Sequence, residues 1–259
     1  MAADSVELGL AAQVQACLAT VMDPELDESV TELGFVTKVE VLEQGEVRVG
    51  FRLPTYWCAA NFAFLMADDM RRAVGALPWV TRVEVNLHEH MYAEAINQGV
   101  AQGSGFQASF GAAAEGDLEA VRRTFLLKAF QRRQAALLQH LLAAGHEAPV
   151  LVELDLDELA RLPLIDAEGE RLVERYLERR AVAGGGNRAF VDTEGRVIAS
   201  SALPGHLRDA RRVGVNAEFN GALCRGLLAV RYGEAEPQPI RIVRGPRASG
   251  RCEASRATS

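Results

Sequence analysis

Two runs of strict alternation set the first limit on what this chain can become. Phe35, Thr37, Val39 and Val41 fall on one side of the first run, and Val47, Val49, Phe51 and Leu53 on one side of the second. The short link LEQGE between them contains a glycine, as a β-hairpin turn requires. A third run sets Trp79, Thr81, Val83, Val85 and Leu87 against Arg82, Glu84 and Asn86. Strands with one apolar face need a cover on that face. Helical stripes supply it: Leu10, Val14, Cys17, Leu18 and Val21 precede the hairpin, and Phe62, Leu65, Met66, Met70, Ala73 and Val74 follow it. The expected fold is α+β, a small three-stranded sheet covered by two helices.

A different pattern takes over after the third strand. MYAEAINQGV predicts a helix, and the glycine-rich AQGSGFQASFGAAAEG predicts a loop. From Asp117 to about Leu142 a long helix repeats Leu118, Val121, Phe125 and Ala129, with Arg122, Arg123, Lys128, Arg132 and Arg133 reading as its solvated face. DLDELARLPL and EGERLVERYLERRAV predict further helices, RAFVDTEGRVIAS a second hairpin, and VNAEFNGALCRGLLAV a run of either kind. The expected organisation is an α+β domain over 1–111, a mainly helical domain with a β-hairpin over 112–235, and a flexible basic tail over 236–259.

Charge and hydropathy narrow the function classes. Residues 1–110 hold fifteen Asp and Glu against six Lys and Arg, and the whole chain carries a formal charge of −7. Nucleic-acid tracking needs clustered cations to displace phosphate counterions, so no nucleic-acid partner is expected. With 49% hydrophobic residues the chain can bury a core, yet no apolar run approaches the roughly 20 residues of a membrane span. Its start has neither the basic residues nor the apolar stretch of a signal peptide. A cytoplasmic location and no membrane partner are the expectation.

The four cysteines, Cys17, Cys58, Cys224 and Cys252, lie far apart with no CxxC pair. Neither a disulfide framework nor a structural zinc pattern is written there. Cys17 falls in a helix stripe and Cys224 in an apolar run, where free cysteine behaves as a small hydrophobe. Cys58 stands at a strand-to-helix junction. A thiol there meets unpaired backbone N–H groups, the setting of a ligand or a nucleophile. The third strand exits into LHEHMYAEAIN, which places His88, Glu89, His90 and Glu94 close together. His90 and Glu94 stand one helical turn apart, either as half of a metal site or as solvated groups at a helix start. Asp23 and Glu25, in MDPELDESVTELGF, read from composition as a proline-fixed turn with surface acids.

In order along the chain, Asp23, Pro24, Glu25, Leu33, Gly34, Val36, Thr55 and Cys58 resemble the PaaD and SufT group of iron–sulfur, or metal–sulfur, cluster assembly domains, also known as domain of unknown function fifty-nine. LPTYWCAANFAFLM together with HEHMYAEAINQGVAQGSGF is similar to a longer branch of that family associated with soluble di-iron monooxygenases. The resemblance covers residues 9–111. It implies a maturation factor rather than a turnover enzyme, handling iron or an iron–sulfur cluster transiently. Cys58 would be the metal ligand, with His90, Glu94 and His88 as supplementary ligands and Asp23, Glu25 and Thr55 shaping the site. The implied partner is a protein client such as a di-iron hydrocarbon or phenol monooxygenase hydroxylase, and a homodimer bridging one cluster is compatible with a single thiol per chain. Two other readings stand beside it. One is a metal-independent interaction protein or folding chaperone for the hydroxylase. The other is an enzyme with Cys58 as nucleophile and His88 or His90 as base.

Overall fold

A computed structural model describes residues 2–111, 118–163, 166–233 and 241–244. The hairpin forms as expected, from β1 (Val36–Val41) and β2 (Glu46–Arg52), paired antiparallel. Its turn closes at Gly45, whose φ of +79° suits glycine, and a Cβ there would stand 2.2 Å from the carbonyl oxygen of Trp79. Helix α1 (Ala2–Ala19) precedes the hairpin and α2 (Ala60–Gly75) follows it, leading to β3 (Arg82–His88), which lies parallel to β2. Val47, Val49, Phe51, Val85 and Leu87 point into one core with Val14 and Leu18 of α1 and Met66 and Met70 of α2. Full burial of a side chain of this size stabilises by roughly 1.5–3 kcal/mol.

The first strand departs from simple alternation. A bulge lies between Val36 and Lys38, so Val36 joins Phe35 and Val39 in the core and Thr37 leaves it. The Thr37 hydroxyl instead donates to the Gly50 carbonyl oxygen at 3.1 Å. The other edge of β1 is also occupied. Residues 241–244, expected within a flexible tail, form β4 (Arg241–Arg244), parallel to β1, and give the sheet the order β3-β2-β1-β4. A strand edge presents unpaired N–H and C=O groups, and β4 satisfies those of β1. The remainder of the expected tail lies outside the described residues.

Beyond the sheet the chain is mainly helical: α3 (Ala93–Ala101), α4 (Phe106–Phe110), α5 (Leu118–Ala143), α6 (Ala148–Glu153), α7 (Leu156–Ala160), α8 (Ala167–Arg180) and α9 (Leu203–Tyr232). The run around Cys224 is thereby settled as helix. A second core gathers Phe130, Leu138 and Leu141 of α5, Val173 and Tyr176 of α8, and Phe190. The expected second hairpin is reduced to one bridge, Val191 to Val197. Asp192 Oδ1 accepts the backbone N–H groups of Glu194 and Arg196, a local turn that replaces a strand ladder.

The helices grip the loop between α1 and β1. Asp27 is 6% exposed, holds a φ of +55°, and meets Arg133 Nε at 2.5 Å and Arg179 at 3.0 Å. Arg132 donates to the carbonyl oxygens of Glu25 and Leu26, each at 3.0 Å. Arg122 pairs with Asp69 of α2 through two bonds of 2.6 and 2.8 Å. Three of the cations expected on a solvated face therefore hold the helical part to the sheet part, because each finds a carboxylate or carbonyl from a distant segment.

Asp27→Ala should cost on the order of 3 kcal/mol in chemical denaturation, since it takes the carboxylate from Arg179 and leaves the buried Arg133 only Glu178 and the Arg175 carbonyl oxygen. A loss below about 1 kcal/mol would show that water reaches the two guanidinium groups. Deleting residues 241–259 should lower the melting temperature by uncovering the β1 edge, and an unchanged melt would mean that β4 adds nothing to stability.

Candidate functional site

The loop from Leu53 to Ala59 leaves the end of β2 and delivers Cys58 to the start of α2. Two segments, the exit of β3 and the end of α9, fix that loop. Met91 N–H donates to the Tyr56 carbonyl oxygen at 2.9 Å, and His90 Nε2 to the Cys58 carbonyl oxygen at 2.8 Å. Arg231 of α9 reaches the Leu53 carbonyl oxygen at 3.3 Å and that of Glu89 at 2.8 Å. The Cys58 thiol is half-buried, unbridged, and shares a hydrogen bond with Thr55 Oγ1 at 3.0 Å. Around it Tyr56, Trp57, Met91 and Tyr92 remain exposed, Trp57 at 72%.

His90, expected as a supplementary ligand beside the Cys58 thiol, meets the Cys58 residue through its backbone carbonyl. The ring is 5% exposed, and its Nδ1 accepts the Tyr92 N–H at 3.2 Å, so Nε2 carries the proton given to Cys58. Burial holds the imidazole below its usual range, with Arg231 adding to the effect and the bond to Cys58 opposing it. Both ring nitrogens are engaged, so in this arrangement His90 positions the thiol-bearing loop. His88 stands on the other face of the sheet, its Nε2 3.3 Å from where a Cβ of Gly50 would lie. Glu94 is exposed in the first turn of α3. Among the described residues no three His, Cys, Asp or Glu side chains converge as a group that could hold a metal ion.

Asp23 and Glu25 lie in the gripped loop. Asp23 is 8% exposed, and its Oδ1 accepts the N–H groups of Glu25 at 2.9 Å and Leu26 at 2.8 Å. Burial raises its carboxyl to a pKa of about 6, with the charges of Glu25 and Glu28 adding and the two N–H bonds opposing. Glu25 Oε1 accepts from Asn220 Nδ2 of α9 at 2.9 Å. Sequence reasoning did not foresee the neighbour that follows one turn later, Cys224. Burial, together with the charges of Asp23, Cys58 and Glu25, pushes that thiol up to about 11. The only sequence signal was a further cysteine in an apolar run, and nothing in that run announced that it packs against the first core. Cys17 lies against the first core, half-buried.

Comparison with known proteins follows the same division. Residues 11–86 match the family described as iron-sulfur cluster assembly protein, and α5 to α9 lie outside the match. An uncharacterized protein of Methanocaldococcus jannaschii is 32% identical over 81 residues, which is 31% of this chain and 83% of that protein. An iron-sulfur cluster carrier protein of Mycobacterium leprae is 33% identical over 78 residues, 30% of this chain. Only 20% of the carrier is spanned. Asp23, Glu25, Thr55 and Cys58 all fall within the matched stretch, on the sheet layer and its two loops. By that layer, the chain belongs to the iron–sulfur cluster assembly protein family.

Proposed function

We propose that this chain is an accessory factor of iron–sulfur cluster assembly, taking iron or a cluster as cargo at the Cys58 thiol and passing it to a protein client. The placement of Cys58 carries the reading. The residue is half-buried beside a hydroxyl, on a loop held by the exit of β3 and by α9, and within the family's part of the chain. A thiol of that kind binds a soft metal by losing its proton and giving a lone pair, and affinity falls with falling pH because protons compete. Thr55 orients the sulfur, His90 fixes the carbonyl behind it, and the Asp23 turn shapes the facing loop. The exposed aromatic rim of Tyr56, Trp57 and Tyr92 suits a protein client, since such side chains are favoured where partners dock. The client class is the one the resemblance implies, a soluble di-iron monooxygenase hydroxylase.

That same rim also favours a second reading, a folding aid that docks the hydroxylase without touching metal. Co-expression with a di-iron hydroxylase separates the two. The cargo reading expects more iron per active site, and Cys58→Ser should remove the gain. A rise in soluble hydroxylase with iron per site unchanged, and indifferent to Cys58→Ser, would leave only the folding aid.

Asp23 gives a test of the site that needs no metal. Its folded pKa of about 6 lies above the ordinary 3.8, so the stability it contributes is full below 3.8 and is lost as pH rises through about 6. Above that window the buried charge costs on the order of 3 kcal/mol. Asp23→Asn keeps an oxygen for the two N–H groups and removes the charge. The variant should therefore gain stability relative to the parent as pH is raised from about 4 to about 7. Denaturation series showing a constant difference across that range would mean Asp23 is solvated.

A further inference from the structure

Helix α9 lies outside the family's part of the chain, yet one of its faces is laid on the Cys58 end of the sheet layer. Asn220 bonds Glu25, and a Cβ on Gly221 would lie 3.6 Å from Leu26 Cδ2. Leu228 enters the first core at 8% exposure. At the far end Arg231 bonds the carbonyl oxygens of Leu53 and Glu89, and Tyr232 reaches that of Leu53 at 3.4 Å. Asn220, Cys224 and Leu228 are four apart and so stack on a single helix face. Val215, Phe219, Leu223 and Val230 are exposed on the remainder of the helix. Cys224 therefore faces the layer between its anchors at Glu25 and at Leu53. Cys58 follows Leu53 by five residues, and its carbonyl is held by His90, next to the Glu89 that Arg231 holds. The two thiols pack half-buried against the same core cluster. Cys224 also feels the charge of Cys58 and Asp23, as expected of near neighbours.

We propose that Cys224 is the second thiol of the Cys58 site, so that the two sulfurs hold iron or an iron–sulfur cluster within one chain. The inference rests on the cargo reading above and deepens it. On loading, each sulfur releases its proton to solvent and donates a lone pair to iron; two iron–sulfur bonds form and no electron changes hands. A two-sulfur chelate leaves the other coordination positions of the iron to sulfide and to the client. It also removes the need for a second copy of the chain, which a lone Cys58 would require to bridge a cluster. Because one ligand sits on the sheet layer and the other on α9, bound cargo also ties the appended helix to the family unit.

The test uses the full chain, anaerobic, with ferrous iron and sulfide, read by native mass spectrometry for iron and sulfide per chain and for assembly state. Wild type should carry its cargo as a monomer. Cys224→Ser should lower bound iron by about 10-fold or more, or move what remains onto a dimer, while Cys17→Ser should match wild type. Monomeric cargo at wild-type level in Cys224→Ser overturns the second thiol and leaves Cys58 standing. A second arm needs no iron and no variant. Phenylarsine oxide condenses with two adjacent thiols, forming two arsenic–sulfur bonds and one water. Peptide mapping should find one arsenical linking Cys58 to Cys224. If wild type takes up no iron yet the arsenical joins these residues, the cargo reading fails and the thiol pair survives; an arsenical that does not join them overturns the pair.

Discussion

The buried carboxylate of Asp27 between Arg133 and Arg179 decides how the two halves of this protein meet. Its desolvation cost is offset only because guanidinium forks from α5 and α8 arrive together, and such a cluster fixes geometry more surely than it adds net stability. Arg132 extends the grip to the backbone of Glu25 and Leu26. The loop held in this way also carries Asp23 and Glu25. Once it is seated, Asn220 can meet Glu25 and Arg225 can meet Glu28 at 2.7 Å, and α9 is set down across the layer toward Cys58.

At the other end of α9 the same economy recurs. The loop bearing Cys58 has no regular secondary structure, yet its carbonyl oxygens at Leu53, Tyr56 and Cys58 are taken by Arg231, Met91 N–H and His90. Ordering a loop costs about 1–2 kcal/mol per residue in backbone entropy, and these contacts from β3's exit and from α9 offset part of it. Tyr232 adds a ring 3.7 Å from the Arg52 guanidinium at the end of β2. The thiol is thus held by its backbone, while its sulfur touches only the Thr55 hydroxyl among the hydrogen-bonding groups described.

The sheet layer was legible in the sequence because period-two alternation is a local signal, and Val47 to Leu53 show it without exception. The bulge at Thr37 was not legible: one extra residue in a strand leaves apolar and polar positions plausible in either register, and only pairing with β2 decides between Val36 and Thr37. The arginines of α5 misled for a related reason. A helical wheel separates polar from apolar faces but says nothing of what a polar face meets, so Arg132 and Arg133 looked solvated although their partners lie more than a hundred residues away. The short β4 carries too few residues for a pattern. Cys58 and Asp23 were legible as a family motif. Cys224 was not, because its place comes from how α9 docks.

Asp23 and Asp27 lie in the same loop, are buried to nearly the same degree, and are held by opposite means. Asp27 has two guanidinium partners, which makes it a structural anchor. Asp23 has backbone N–H groups and two acidic neighbours, so its charge is poorly compensated and its proton is held to about pH 6. A carboxyl that served only to close the turn would lose nothing as asparagine, which offers the same acceptor oxygen. A buried acid that keeps its proton to about pH 6 has a property that asparagine lacks: its charge, and with it the stability of the loop that holds it, changes with pH. The contrast separates an acid whose charge the fold pairs from one whose charge the fold leaves uncompensated, although only three positions lie between them.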